Sequence, residues 1–556
     1  MDKNTTVSGP YHQSNGVAGI LYGEFTDNIN PKVRYAVSLT DCALTVQKIS
    51  SSPGQDKMVF NLSDCIGCHA STAVDSADTG AYFTVYFYPY KRRWMSSVLA
   101  RQRVEQCFRV ALVQDARANL EEAERWARAV REASARNLPR RDGVLYDVCR
   151  PCGIMLLLNP SSGRGQAMSL FSTHIQRMLT EAAVPHTLLI TDHQNHAREL
   201  VRNADLSQWN ALIILSGDGL LFEVVNGLME REDWEEAIQI PLGILPGGSG
   251  NALAASIHHY TGAAAVWGED LLVSCGFMLC KGLVSRLDLV SVHLASGNRV
   301  FSFLSVAWGF VADVDIESEK YRHVGAVRFM VGTLVRLASL RIYQGRLAFL
   351  PASDDKELSA PSPPSSPLLS SFTFCSPVSC HTAADQPLVR QNQNPLQNGS
   401  PVQNSSSNAV VPARADPNEP TKHGPVDSLL VPLSEPVPQN WTVVERQDFV
   451  LVLAMYQSHL AEDLLTAPEA KAEEGCIHLF YVLEGISRAA LLRLFLAMEK
   501  GGHLAYECPH LQYRKVQAFR LEPRTPQGVI TVDGEQVEYG PVQAQIHKGL
   551  ARLVTG

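Results

Sequence analysis

"NALIILSGDGLLFEVVNGLM", residues 210–229, decides the fold of this chain. Ala211 to Leu215 form an unbroken apolar run, and Leu220, Val224 and Leu228 recur at helical spacing. The Gly-Asp-Gly step at 217–219 therefore lies on a turn from a buried strand into a helix. A strand that is apolar on both faces belongs in a parallel sheet covered by helices. The same unit recurs in "GIMLLLNP" (153–160), "HTLLITD" (186–192) and "PLGILPGGSGN" (241–251), each followed by a helical pattern. Ligands of such sheets sit beyond the carboxyl ends of the strands, which is where the Gly, Asn, Ser and Asp clusters fall.

Three of these ends are rich in glycine. Ser216, Gly217, Asp218 and Gly219 form one; Gly247, Gly248, Ser249 and Gly250, with Asn251 opening a helix, form the second; Asn159, Ser161, Ser162, Gly163 and Gly165 form the third. Each turn directs backbone N–H groups and the positive end of a helix dipole at whatever lies in front. The pattern is not a Walker A loop, which ends in Gly-Lys-Ser/Thr, nor a dinucleotide fingerprint, whose third glycine would be Phe222. Three such turns on one sheet point to a nucleotide or polyphosphate site. A carboxylate among phosphate-binding amides repels its ligand unless it binds Mg²⁺ or takes a proton. Asp218 thus reads as a chemical group, with both roles open.

Outward from this lobe, 556 residues exceed a single core, so two or three domains are expected. Residues 17–141 read as short alternating strands closed by the amphipathic helix "ANLEEAERWARAVREAS", with an inward Trp126, a layout resembling a pleckstrin-homology domain. Residues 1–16 precede it as a disordered tail. The α/β lobe spans 150–282, and a β-rich lobe follows at 283–351 and 425–556 with one helix, "SRAALLRLFLAMEK", among its strands. Between its halves lies a Pro-, Ser- and Asn-rich insert, 352–424, expected to be disordered, with Ser-Pro steps at Ser362, Ser366, Ser376 and Ser400 open to phosphorylation by other kinases.

The net charge of −8 conceals a basic stretch: residues 90–141 hold Lys and Arg well in excess of acids. An anionic membrane surface, a nuclear import receptor or nucleic acid would suit it, and so would a solvated helix face. "CIGCH" (65–69) matches a haem-attachment pattern but lacks the export signal and distal ligand such a protein needs. The scattered cysteines form no disulfide framework and "MDKNTTVSGP" carries no leader pattern, so a reducing intracellular compartment is expected. No apolar run reaches the roughly 18 residues of a membrane span, which makes any membrane contact peripheral.

"LLNPSSGRG", "SGDGLLFEVVNGL", "LPGGSGNALAASI", "WGFVADVDIESEKYR" and "TVDGEQVEYG" together resemble the sphingosine kinases, within the diacylglycerol-kinase-type lipid kinase superfamily. The likeness runs over roughly 150–351 and 425–554, and the N-terminal extension and long insert resemble the type 2 branch. It implies an α/β nucleotide-binding lobe facing an antiparallel β-sandwich lipid-binding lobe, and transfer of the γ-phosphoryl of Mg-ATP to the primary hydroxyl of sphingosine or dihydrosphingosine. By resemblance Asp218 is the general base, and Ser216, Gly217, Asp218 and Gly219 meet the substrate. Nucleotide contacts are implied at Asn159, Pro160, Ser161, Thr191, Asp192, His193, Gln194, Asn195, Glu223, Gly248, Ser249, Gly250, Arg322 and Arg328. Asp533, Gly534 and Glu535 return to the phosphates, with Asp533 or Asp218 as the metal ligand. Ser161 stands where some members are basic and "TDHQN" replaces the commoner "TERxN", which favours backbone contacts there.

The resemblance also assigns Asp315 to the lipid's ammonium, with Phe310, Val311 and Val314 as pocket wall. For Asp313, Glu317 and Glu319 the expectation is structural: solvating a strand end or pairing with Lys320 and Arg322. Leu491, Leu494, Phe495 and Met498 form a stripe that suits a core or a lipid cover equally. The rivals are a ceramide or diacylglycerol kinase, a soluble-substrate kinase with a GDG turn, and a non-catalytic lipid-binding scaffold. Expected partners are a sphingoid base, anionic membranes and a second copy of the chain, without direct nucleic-acid binding. Expected places are the cytoplasm with peripheral membrane association, the nucleus, and endoplasmic reticulum or mitochondrial membranes.

Overall fold

The computed structural model describes residues 21–30, 32–49, 57–75, 77–92, 98–137, 144–145, 153–320, 327–352 and 423–555. The tail 1–16 and nearly all of the insert, 353–422, lie outside them.

Seven antiparallel strands and one helix build the N-terminal domain. Across its sheet the order is Lys57–Asn61, Ala43–Ile49, Arg34–Leu39, Leu21–Asp27, Val104–Val110, Ala81–Phe87 and Cys65–Thr72. Helix Ala116–Arg136 closes it, capped by the Asp115 side chain, and drives Trp126 against Phe83 and Phe25 with ring centroids 5.5 and 5.1 Å away. The strand not foreseen is Cys65–Thr72. Its "CIGCH" is sheet core, Cys65 and Cys68 being buried as small hydrophobes. Much of the basic stretch is spent internally: Arg101 pairs with Asp64, Arg103 with Glu105 and Glu181, Arg109 with Asp78, Arg117 with Glu121 and Arg125 with Glu122. Of these, only Arg117 and Arg125 lie on the helix Ala116–Arg136.

The α/β lobe forms as the periodicity predicts. Strands His186–Ile190, Gly153–Leu158, Trp209–Ser216 and Leu242–Pro246 lie parallel in that spatial order, with Leu158 opposite Leu215 and Leu215 opposite Leu245. The last three are buried from both faces and form one core with the covering helices, while His186–Ile190 is a partly exposed edge strand. All four strands end on the same edge, which gathers their loops.

The β-rich lobe departs from two stacked sheets. Strands Tyr343–Pro351, Asp448–Met455, Ile477–Leu483 and Leu511–Pro523 pair in a closed ring, because the long strand Leu511–Pro523 bonds Ile477–Leu483 with its first half and Tyr343–Pro351 with its second. The terminal strand Val542–Val554, also unforeseen, runs through both lobes. It pairs with Leu511–Pro523 and Val284–His293, and reaches Leu242 through Leu553. One continuous sheet therefore joins the lobes.

The chain re-enters after the insert under restraint. Asp427 accepts from Ser291, from His293 at 2.6 Å and from His547 at 2.9 Å, and pairs with Arg299 at 3.0 Å. Burial would raise its carboxyl, but these donors hold it well below the usual range. At the other margin Ala352 donates to Lys515 O at 2.9 Å. Since both margins are fixed by the lobe itself, replacing 353–422 with a flexible linker is expected to leave thermal unfolding and turnover largely unchanged. Loss of folding on excision would show the insert to be structural.

Candidate active site

The three glycine-rich turns meet at the shared edge of the parallel strands. Ser162, buried, accepts from Ser216 Oγ at 3.1 Å and from Gly217 N at 3.2 Å, while Gly247 N donates to Ser216 O at 3.0 Å. The backbones touch: a Cβ on Gly248 would lie 2.4 Å from Gly217 Cα, and one on Gly163, at φ +58, would lie 2.6 Å from Gly247 O. Glycine is required here for contact between loops. Gly248 N is turned inward onto Asn251 Oδ1 at 2.9 Å. Among the described residues none accepts from the amides of Ser249 or Gly250, at the head of helix Ala252–Tyr260. Those amides and the helix dipole make a cradle suited to phosphate oxygens.

Asp218 opens helix Asp218–Met229, and its buried carboxylate reaches the next turn. Oδ2 accepts from Ala252 N at 2.9 Å and Oδ1 from Leu253 N at 3.0 Å. The acid thus caps the neighbouring helix as well as facing the loops. This partner is not legible in the sequence, because nothing along the chain places a second helix start against the side chain. Burial raises its pKa, opposed by the Leu253 and Ala252 amides.

Glu223 lies a turn further along the same helix, with Oε2 buried and without a hydrogen-bond partner among the described residues. Burial raises its carboxyl, and the neighbouring amides of Asn195, Ala197 and Arg198 oppose that rise. Thr191 is buried and bonded to Leu158 O, whereas Asp192, His193, Gln194 and Asn195 are exposed. Asn159 Oδ1 accepts from Ser161 N at 2.9 Å, folding its own turn; Pro160 is half-buried and Ser161 exposed beside it.

A second set of acids comes from the β-rich lobe. Asp533, at φ +52, is buried and accepts from Ser302 Oγ at 2.5 Å and from the amides of Phe303, Leu304 and Ser305 at 2.9–3.0 Å. Burial pushes its pKa up to about 6. Both oxygens are committed to that turn, so Asp533 is a structural acid and its expected role as metal ligand is corrected. Glu535 instead lies against the Asp218 turn: a Cβ on Gly219 would lie 2.3 Å from Glu535 Oε1. Gly534, at φ +83, lies beside Asp315, whose Oδ2 would be 3.4 Å from a Cβ there.

Several relatives match along this arrangement. Sphingosine kinase 2 of Homo sapiens is 42% identical across 97% of this chain and 91% of its own length. The chain belongs to the sphingosine kinase family. Sphingosine kinase 1 of Homo sapiens is 50% identical across 73% of this chain and 92% of its length, and sphingosine kinase 1 of Arabidopsis thaliana 30% identical across 74% and 76%. The diacylglycerol kinase catalytic domain family matches residues 153–292. Coverage of 97% includes the N-terminal domain, in keeping with the likeness of this sphingosine kinase to the type 2 branch.

The "ADVDIE" acids of this family member lie on helix Phe310–Ser318, not at a strand end. Two residues on a helix are about 200° apart, so Asp313 and Asp315 face different surroundings. Asp313 is buried on Tyr343 Oη and Arg336, 3.2 Å away, as a structural acid. Glu317 pairs with Arg336. Phe310, Val311 and Val314 share one apolar cluster with Leu491, Leu494, Phe495 and Met498, and Phe310 stacks on Phe495 at 5.3 Å. Arg322 lies outside the described residues, and of Arg328 only the backbone, in helix Val327–Ala338, is described.

Proposed function

We propose that this chain transfers the γ-phosphoryl of ATP to the primary hydroxyl of sphingosine or dihydrosphingosine, with Asp218 as proton acceptor. The observation that carries this reading is the unbroken path from Asp218 through Gly219, Glu535 and Gly534 to Asp315, which joins the phosphate cradle to the apolar cluster around Phe310. Membership of a lipid kinase family supplies the reaction class.

In phosphoryl transfer the protein positions groups and neutralises charge. The free amides of Ser249 and Gly250 would receive phosphate oxygens, and Gly163 of the neighbouring loop packs against Gly247 beside them. Asp218, made more basic by burial and held rigid by two amides, accepts the hydroxyl proton. Bound Mg²⁺ would offset the phosphate charge, and Glu535, beside Gly219, is the carboxylate fit to hold it. Asp315, at the mouth of the apolar cluster, would select the lipid's ammonium over a neutral head.

Among the described residues no helix is long and apolar enough to cross a membrane. Exposed Met330, Leu334 and Val335 on helix Val327–Ala338, which packs against helix Phe310–Ser318, support peripheral contact with a lipid surface. Assays with labelled ATP against sphingosine, ceramide, diacylglycerol and NAD test the substrate class. Preference for ceramide or diacylglycerol would overturn the ammonium argument. Asp315→Asn is expected to raise the KM for sphingosine about tenfold, the loss of one charge-assisted hydrogen bond, with little change in the KM for ATP. Equal effects on both would remove Asp315 from lipid selection.

A further inference from the structure

The β-rich lobe sends one side chain into the phosphate cradle. Strands His459–Ala461 and Leu464–Leu465 form a hairpin whose two-residue turn is Glu462-Asp463. The hairpin lies along helix Ala252–Tyr260: His459 N donates to Ser256 Oγ at 3.0 Å, and Ser458 N to Tyr260 Oη at 3.1 Å. At its tip Glu462 N donates to Gly250 O at 2.7 Å. The Glu462 carboxylate accepts from Asn251 Nδ2 at 2.9 Å through Oε2, and from Gly268 N, which precedes helix Glu269–Lys281, through Oε1.

Asn251 is the pivot. It sits in the left-handed region at φ +52, with Oδ1 on Gly248 N at 2.9 Å and Nδ2 on Gly248 O at 3.1 Å. An asparagine amide turned by half a revolution keeps its shape but exchanges donor for acceptor. Glu462 is an acceptor only, so it admits one orientation, with Nδ2 toward the carboxylate and Oδ1 toward Gly248 N. That orientation draws the Gly248 amide inward and leaves the amides of Ser249 and Gly250 to face a ligand.

We propose that Glu462 is a positioning residue for nucleotide binding: a latch from the lipid-side lobe that fixes Asn251 and, through it, the Gly247–Gly250 phosphate loop. This rests on the reading of that loop as an ATP contact. The latch also makes the shape of the nucleotide cradle depend on the hairpin of the other lobe, since three of its bonds leave from one two-residue turn.

The test compares Glu462→Ala, Glu462→Gln, Asn251→Ala and the Glu462→Ala/Asn251→Ala double variant of the full chain. Each is measured for direct ATP binding, KM for ATP and for sphingosine, kcat and thermal midpoint. Glu462→Ala is expected to weaken ATP about tenfold, the worth of one hydrogen bond to a charged group, with the KM for sphingosine unchanged. Glu462→Gln keeps one acceptor but turns an amide NH₂ toward the second donor, so it should fall between wild type and Glu462→Ala. The double variant should be no worse for ATP than Asn251→Ala alone, because both changes release the same loop. Unchanged ATP binding in Glu462→Ala, additive losses in the double variant, or equal rises in both KM values would each overturn the latch. Gly250→Val separates the two readings: if it too leaves ATP binding intact, the loop is not a nucleotide contact; if it alone weakens ATP, only the latch fails.

Discussion

Replacing Asp218 by Asn is expected to lower turnover of sphingosine at least about a hundredfold while ATP binding persists. Asn is nearly isosteric but cannot take the hydroxyl proton. It also carries a single acceptor where Asp218 serves two amides, so either Ala252 N or Leu253 N would face an NH₂ group, at a cost of about 1–3 kcal/mol of stability. Thermal unfolding and ATP titration are therefore measured beside kcat. Retained ATP binding with lost turnover supports the base, and near-wild-type turnover would refute it. A pH profile gives a second reading. The base works when deprotonated and burial raises its pKa above that of an ordinary aspartate, so the wild-type rate should fall on acidification through a value above 3.8. Residual turnover of Asp218→Asn should lack that limb.

Replacing Glu181 by Ala is expected to destabilise the junction between the N-terminal domain and the α/β lobe by about 3 kcal/mol. Glu181 ends helix Gln176–Glu181 and is only 5% exposed. It accepts from buried Tyr88 Oη at 2.7 Å and from Arg103 Nε at 2.5 Å, both in the N-terminal domain. Truncation orphans the Tyr88 hydroxyl and removes a charge-assisted bond. Around it the domains are in close contact: Glu181 O meets His69 Nε2 at 2.7 Å, and a Cβ on Gly67 would lie 1.9 Å from that oxygen. Lys281 Nζ donates to Cys65 O at 2.9 Å, and Arg101 lies 3.5 Å over the Phe277 ring. The expected readout is a single calorimetric transition that splits in two, with faster hydrogen exchange in strands Cys65–Thr72 and Val104–Val110. One unsplit transition would show that the junction does not depend on Glu181.

Elements governed by local periodicity were legible in the chain. The parallel strands, the helix with Trp126 and the glycine turns follow from spacing that needs no partner to interpret. Strand Cys65–Thr72 was not, because its cysteines and small residues lack an alternating pattern. Strand Val542–Val554 mixes polar and apolar residues because it borders two lobes, so no single face stays buried. Asp533 and Glu535 illustrate the same limit within the site. Adjacent to one glycine in the same motif, they point in different directions, and only the left-handed turn at Asp533 sends one inward and the other to Gly219.

By itself the sequence determined that a phosphate-binding α/β lobe exists, where its three loops lie, and which family carries those loops. These are local properties, set by residue spacing and by glycine where backbones must meet. The tertiary structure decided what each carboxylate does. Asp218 caps a neighbouring helix, Asp313 and Asp533 are consumed in buried networks, and Glu535, Asp315 and Glu462 are the acids the β-rich lobe brings to the cleft. A carboxylate's role depends on the donors within about 3 Å of it, and those donors come from segments up to hundreds of residues away, which no reading along the chain can place.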